Sequence, residues 1–227
     1  FCAFSRSRGE DGAYEMSIED VLRKARSAQP GVREFHIVSG LHPDLPFPWY
    51  LDMLGSLRKE FPHIHLKAFT AVEIDYLAKL SGLGLKDTLL KLRAAGLGSL
   101  PGGGAEIFAP GVRNTLCAEK ISGDRWLEVM EIAHAIGLKS NATMLYGHIE
   151  SIEDRVDHIL RLRELQDRTG GFQAFIPLSF HAQNTEIAKT AYTSGFDDLK
   201  PLSISRLLLD NFDHIKAYWV MLGEKIT

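Results

Sequence analysis

Several side chains able to carry chemistry stand beside apolar runs in this 227-residue sequence. His148 and Glu150 close the stretch SNATMLYGHIE. An imidazole exchanges protons near neutral pH, so this pair is a candidate site. His42, in SGLHP, follows another apolar run and suits a site or a turn equally. Lys67 lies inside IHLKAF and Lys216 inside HIKAYW. A lysine in such a run points into a pocket or snorkels outward. Gly102-Gly103-Gly104 either ends a strand or lets a ligand approach the backbone. Cys2, in FCAF, is either a small apolar residue at a frayed end or the tail of a longer motif. Cys117 and His36 read as packing, and His63 and His65 carry no distinguishing pattern. The sequence has no His/Cys zinc spacing, HEXXH, GxSxG or Walker loop.

These residues need elements to position them. Runs at Glu34–Ser39, Ile64–Phe69, Gly98–Leu100, Lys139–Leu145, Phe172–Leu178 and His214–Trp219 predict strands, roughly 30 to 40 residues apart. Ser17-Ile-Glu-Asp20 starts a helix over Ile18–Ala28 in capping-box fashion, and Thr70-Ala-Val-Glu73 starts another. Lys86–Ala95, Asp124–Ile136 and Ser151–Arg168 carry further helical patterns, the last with one apolar face. Strict alternation predicts a parallel α/β sheet covered by helices, either a closed barrel or an open doubly wound sheet. No GxGxxG lies on the first βα turn, which weighs against a dinucleotide fold. Polar clusters follow the strands at Ser39–His42, Thr70–Glu73, Gly102–Glu106, Gly147–Glu150 and His181–Thr185. In a barrel these share the rim where active sites sit. No linker interrupts the chain, so residues 1–227 read as one domain.

Composition narrows the function classes. Hydrophobic residues make up 45% and charged residues 24%, as in a globular chain with a substantial core. A formal net charge of -3 provides no field for nucleic acid or an anionic membrane. No apolar run approaches the roughly 20 residues that span a bilayer. Two cysteines far apart make no disulfide framework, which predicts a reducing, cytoplasmic setting.

The blocks HIVSGLHPDLPFPWYLDML, LKAFTAVEI, LPGGGAEIF, SNATMLYGHIE, LRELQDRTGGFQAFIPLSF and LDNFDHIKAYWVMLG closely resemble the aminofutalosine synthase family of radical S-adenosylmethionine (SAM) enzymes, from Phe1 to Gly223. The resemblance implies an α/β radical SAM (β/α) TIM-type barrel, incomplete, without its first strand and C-terminal part. The six strands would then be the second to seventh. That family carries C-x3-C-x-aromatic-C after the first strand. Cys2 matches the third cysteine and Phe1 the aromatic near adenine; the other two would precede this chain. Cys2 is thus the implied metal ligand of a [4Fe-4S] cluster, since thiolates hold such clusters. Ser39-Gly40-Leu41 matches the turn holding the methionine amino group. Radical SAM enzymes usually have an acid third in that turn, and Leu41 departs from this. Glu106, Asn141 and Glu150 match positions near the ribose and carboxylate, and Ile176 and Pro177 a strand near adenine.

The implied reaction adds the 5'-deoxyadenosyl group of SAM to 3-[(1-carboxyvinyl)oxy]benzoate, giving 6-amino-6-deoxyfutalosine for menaquinone biosynthesis. Lys67, His148 and Glu73 are then the expected catalytic residues. His42, Thr70 and Lys216 are the expected substrate contacts, with the lysines facing carboxylates. A reductant such as flavodoxin or ferredoxin is the implied partner. Two sister families, cyclic dehypoxanthine futalosine synthase and the deazaflavin FO synthase subunit, share the scaffold. A cluster-free barrel that binds a small anion is the alternative of another class.

Overall fold

A computed structural model describes residues 9–182 and 193–218, together with Arg6, Thr185, Ile187 and Leu222. The chain forms two compact units, residues 2–101 and 102–227.

The first unit contains α1 (Ile18–Arg26), β1 (Glu34–Ile37), α2 (Phe47–Glu60), β2 (His65–Ala68), α3 (Ala71–Ser81), α4 (Leu85–Ala95) and β3 (Ser99–Leu100). β1, β2 and β3 pair in parallel, with Glu34 opposite His65, His36 opposite Lys67 and Lys67 opposite Ser99. Side chains alternate across a strand, so Glu34, His36, His65, Lys67 and Ser99 share one polar face. Phe35, Leu66 and Ala68 take the other, where Phe35 packs edge-on against Phe61 at the end of α2. Tyr50, Met53, Leu54 and Leu57 of α2, Ile74 and Leu77 of α3 and Leu89 and Leu92 of α4 are buried. His36, expected in the core, is exposed because its register puts it on the polar face.

The second unit contains α5 (Pro110–Leu116), α6 (Gly123–Ala135), β4 (Lys139–Tyr146), α7 (Ile152–Thr169), β5 (Phe172–Ser179) and α8 (Gly195–Leu208). β4 and β5 run parallel, with Asn141 opposite Ala174 and Thr143 opposite Ile176. Trp126, Phe172 and Phe212 stack in the core, with centroids 6.2 and 5.4 Å apart. The strand expected at His214–Trp219 is reduced to one parallel bridge, Phe175 to Ile215. Trp219 lies outside the described residues.

Sequence periodicity missed three helices, α2, α5 and α8. α2 follows Pro46 without a side-chain cap and has a proline in its first turn, so LPFPW looks like a loop. Proline fits there because the first-turn N–H groups have no helical partner. α8 contains Pro201, which hides it, although Ser194 and Asp197 form a full capping box. The boxes expected at Ser17–Asp20 and Thr70–Glu73 are both present.

A buried histidine and a half-buried one set an acid limit on this fold. His134 lies 2.8 Å from both Thr169 Oγ1 and Ser140 Oγ. His158 donates from Nε2 to the Thr143 carbonyl at 2.9 Å and stacks on Phe108, with centroids 3.9 Å apart. Burial pushes His134 down to about 4 and His158 down to about 3. The unfolded chain protonates both near the ordinary value of about 6.5. Stability is therefore fully present above pH 6.5 and falls as pH drops towards those folded values. We expect a loss of roughly 1.4 kcal/mol per pH unit for each histidine between pH 6 and 4.5, read from denaturant midpoints. His134→Gln should remove about half of that slope. A flat stability profile over this range would refute the assignment.

Candidate functional site

In the first unit, polar residues gather where β1 and β2 end. Glu73 is buried, and its Oε1 accepts from Ser39 N at 3.0 Å and Ser39 Oγ at 3.1 Å. Its Oε2 accepts from Thr70 N and Thr70 Oγ1, both at 2.8 Å. Burial raises the Glu73 carboxyl above its ordinary range, and the Thr70 and Ser39 donors only partly offset this. Ser39, Gly40 and Leu41 are exposed, and with Tyr50, Phe69, Glu73, Tyr76 and Leu77 they border a narrow cleft. His42 Nδ1 accepts from Asp44 N at 3.1 Å and Leu45 N at 3.2 Å, so its ring shapes the turn. Tyr76 donates its hydroxyl to the His42 carbonyl at 2.6 Å. Lys67 reaches Glu34 Oε2 at 2.9 Å on the polar sheet face, with 11% of its side chain exposed. Its charge meets a carboxylate of its own sheet.

The second unit carries a similar cluster after β3 and β4. Thr143 Oγ1 donates to the Gly102 carbonyl at 2.6 Å. A Cβ on Gly102 would come within 2.9 Å of Asn141 O and the Ala142 carbonyl carbon, so close backbone approach explains this glycine. Asn141 is 8% exposed, and among the described residues its carboxamide has no hydrogen-bond partner. It shares a face of the sheet with Thr143 and Ile176, while Pro177 lies on the opposite, buried side. Glu106 has φ +47 and pairs with Lys120 Nζ at 2.6 Å.

His148 and Glu150 turn inward. Glu150 accepts from Gly147 N at 2.6 Å, His148 N at 2.9 Å and Arg155 Nε at 2.7 Å. His148 Nε2 lies 3.0 Å from the Leu145 carbonyl and its Nδ1 2.9 Å from Glu150 Oε2. Burial alone would raise the Glu150 carboxyl, but the His148 ring and the Gly147 N–H outweigh it and hold it at about 2. Both side chains are 0% exposed. The pair ties the loop after β4 to the strand end at Leu145 and to Arg155 of α7. Lys216 is exposed, and its backbone N–H donates to the Phe175 carbonyl at 2.9 Å.

Phe1 and Cys2 lie outside the described residues. Among the described residues, no three His, Cys, Asp or Glu side chains are grouped to hold a metal. Cys117 is buried, and burial pushes its thiol up, as its packing role requires. Arg113 escaped notice in the sequence. It is buried and donates to the carbonyls of Gly104, Ala105, Ile107 and Ile121, which fixes the loop after β3. No local pattern announces such a staple. A broader cleft beside it, between Phe108 and Arg161, contains none of the expected site residues.

The sequence profile of the Radical SAM superfamily matches residues 1–162, and the chain belongs to that superfamily. Its enzymes use a [4Fe-4S] cluster and SAM. Aminodeoxyfutalosine synthase of Thermus thermophilus is 47% identical over 232 residues, covering 100% of this chain and 62% of that protein. The Streptomyces coelicolor protein of the same name is 45% identical, over 98% of this chain and 60% of its own length. A 5-amino-6-(D-ribitylamino)uracil–L-tyrosine 4-hydroxyphenyl transferase of Methanoculleus marisnigri is 41% identical over 100% of this chain and 63% of its own. The chain therefore spans about three fifths of these relatives. The crystal structure of methylornithine synthase superposes with a TM-score of 0.71 at 16% identity, over 94% of this chain and 59% of that one. The fold is accordingly of the α/β radical SAM TIM type. Among the described residues, no helix is long and apolar enough to cross a membrane.

Proposed function

We propose that this chain forms the radical SAM part of an aminodeoxyfutalosine synthase. The 47% identity to a protein of that name across the whole chain carries this reading. Cys2 would supply one thiolate to the cluster, in a reducing cytoplasm. Bound cluster and SAM, given an electron from a flavodoxin or ferredoxin, supply the 5'-deoxyadenosyl group as a radical that adds to the enol ether of 3-[(1-carboxyvinyl)oxy]benzoate.

The residues present suit SAM. The exposed Ser39–Leu41 turn offers acceptors to an ammonium, and the unpartnered Asn141 carboxamide can bond a hydroxyl. Lys67 would leave Glu34 for a substrate carboxylate and orient the alkene. Lys216 is the second candidate cation. Replacing Lys67 by alanine should raise KM for the benzoate substrate by roughly 10- to 100-fold, the loss expected for one charged hydrogen bond, with iron content unchanged. Unaltered kinetics would remove Lys67 from the site.

The 41% identity to the tyrosine-coupling transferase supports a second reading. The full-length protein, purified without oxygen and loaded with iron and sulfide, decides between them. It is offered SAM with either 3-[(1-carboxyvinyl)oxy]benzoate or L-tyrosine plus 5-amino-6-(D-ribitylamino)uracil. We expect aminodeoxyfutalosine by mass spectrometry in the first case and no coupling in the second. Coupling of tyrosine would reverse the choice, and uncleaved SAM in both would refute both.

A further inference from the structure

We infer that Glu73 is the positioning residue of the Ser39–Leu41 turn, supplying from α3 the negative charge that Leu41 does not provide. The inference rests on the proposed role of that turn in holding the SAM amino group. It begins with a comparison inside the chain. Among the described residues four capping boxes are present, at Ser17–Asp20, Thr70–Glu73, Ser151–Asp154 and Ser194–Asp197. Three use aspartate, and the hydrogen bonds of those carboxylates stay within the first turns of their own helices. Only the box at Thr70 uses glutamate, one methylene longer. Its second oxygen reaches Ser39, 34 residues away, and takes both the N–H and the hydroxyl.

α3 thereby holds the turn at both ends. Glu73 fixes Ser39, and Tyr76, three residues further along the same helix face, fixes the His42 carbonyl. Between these anchors, the carbonyls of Ser39, Gly40 and Leu41 accept no backbone hydrogen bond among the described residues. The Ser39 hydroxyl has a single proton and two acceptors in reach, Glu73 Oε1 and the Gly40 carbonyl at 3.0 Å. By drawing that proton, Glu73 leaves the Gly40 oxygen for a ligand. Phe69, just before the cap, holds φ +61, a conformation costing an aromatic residue about 1–3 kcal/mol. It is the bend that sends the α3 N-terminus back towards β1. Among the described residues, no cation pairs with Glu73, and its four hydrogen bonds come from Ser39 and Thr70. A buried carboxylate beside an exposed turn of backbone carbonyls favours a cation there, such as an ammonium.

Two variants of the cluster-loaded full-length protein test this. Glu73→Asp keeps the charge and the α3 cap but cannot reach Ser39. Glu73→Gln keeps the length and loses the charge. Dissociation constants are measured by equilibrium dialysis for SAM and for 5'-deoxyadenosine, which lacks the amino acid portion, alongside melting curves. We expect both variants to bind SAM roughly tenfold more weakly or worse, to bind 5'-deoxyadenosine as wild type does, and to melt within about 5 °C of it. Unchanged SAM binding would reduce Glu73 to a helix cap. Equal weakening towards both ligands would make its role one of general folding. If Glu73→Asp does not fold, Glu73→Gln decides by the same criteria. A wild-type protein that does not bind SAM would overturn the proposed function first, and this inference with it.

Discussion

Gly171→Ala should cost this protein about 4 kcal/mol and lower its melting temperature by roughly 8–16 °C, from the usual 2–4 °C per kcal/mol at this size. A Cβ at residue 171 would sit 2.0 Å from His134 Cγ and 2.2 Å from Nδ1. The ring cannot step aside, because Thr169 and Ser140 bind its two nitrogens and Phe172 packs edge-on at 4.8 Å. Overpacking a core costs about 1–3 kcal/mol, and breaking two buried hydrogen bonds adds roughly as much again. A second readout separates this mechanism from loose packing. If the ring is expelled into water, the His134 share of the acid slope should vanish, as in His134→Gln. A melting temperature within about 2 °C of wild type would show that the backbone yields instead.

Arg113→Met should be nearly as damaging, by about 3–5 kcal/mol, with the harm concentrated in the loop after β3. Replacing a buried ion pair by apolar side chains of similar volume is often neutral, because both desolvated charges go together. Here the partners are four backbone carbonyls, and they remain when the guanidinium leaves. Ala105 and Ile107 are buried, so water does not replace the lost donors. Glu106, held at φ +47 between them, would relax and release the bond from Leu145 N to its carbonyl at 2.7 Å. Hydrogen exchange should therefore accelerate at residues 103–108 and at Leu145 before other parts of the second unit. Arg113→Lys should fall short of rescue, since an ammonium has no planar fork to span four acceptors. Wild-type exchange in that loop would disprove the staple.

Local signals were the legible ones. Five of the six expected strands are present, each close to its expected bounds, because apolar runs between turn residues report burial within a few positions. The Ser17 and Thr70 boxes were legible for the same reason, since donor and acceptor lie three residues apart. α2, α5 and α8 were not, because proline obscured signals that packing overrides.

The alternating α/β order and the family are legible in blocks of residues whose identity needs no coordinates. What the polar residues touch is set by the folded chain. Glu73 reaches Ser39 across 34 positions, Lys67 meets Glu34 across 33, and His134 rests on Gly171, just before β5. His148 and Glu150 look catalytic in one dimension and are sealed in three. A side chain's partners are set by which strands and loops meet, and spacing along the chain carries no record of that meeting.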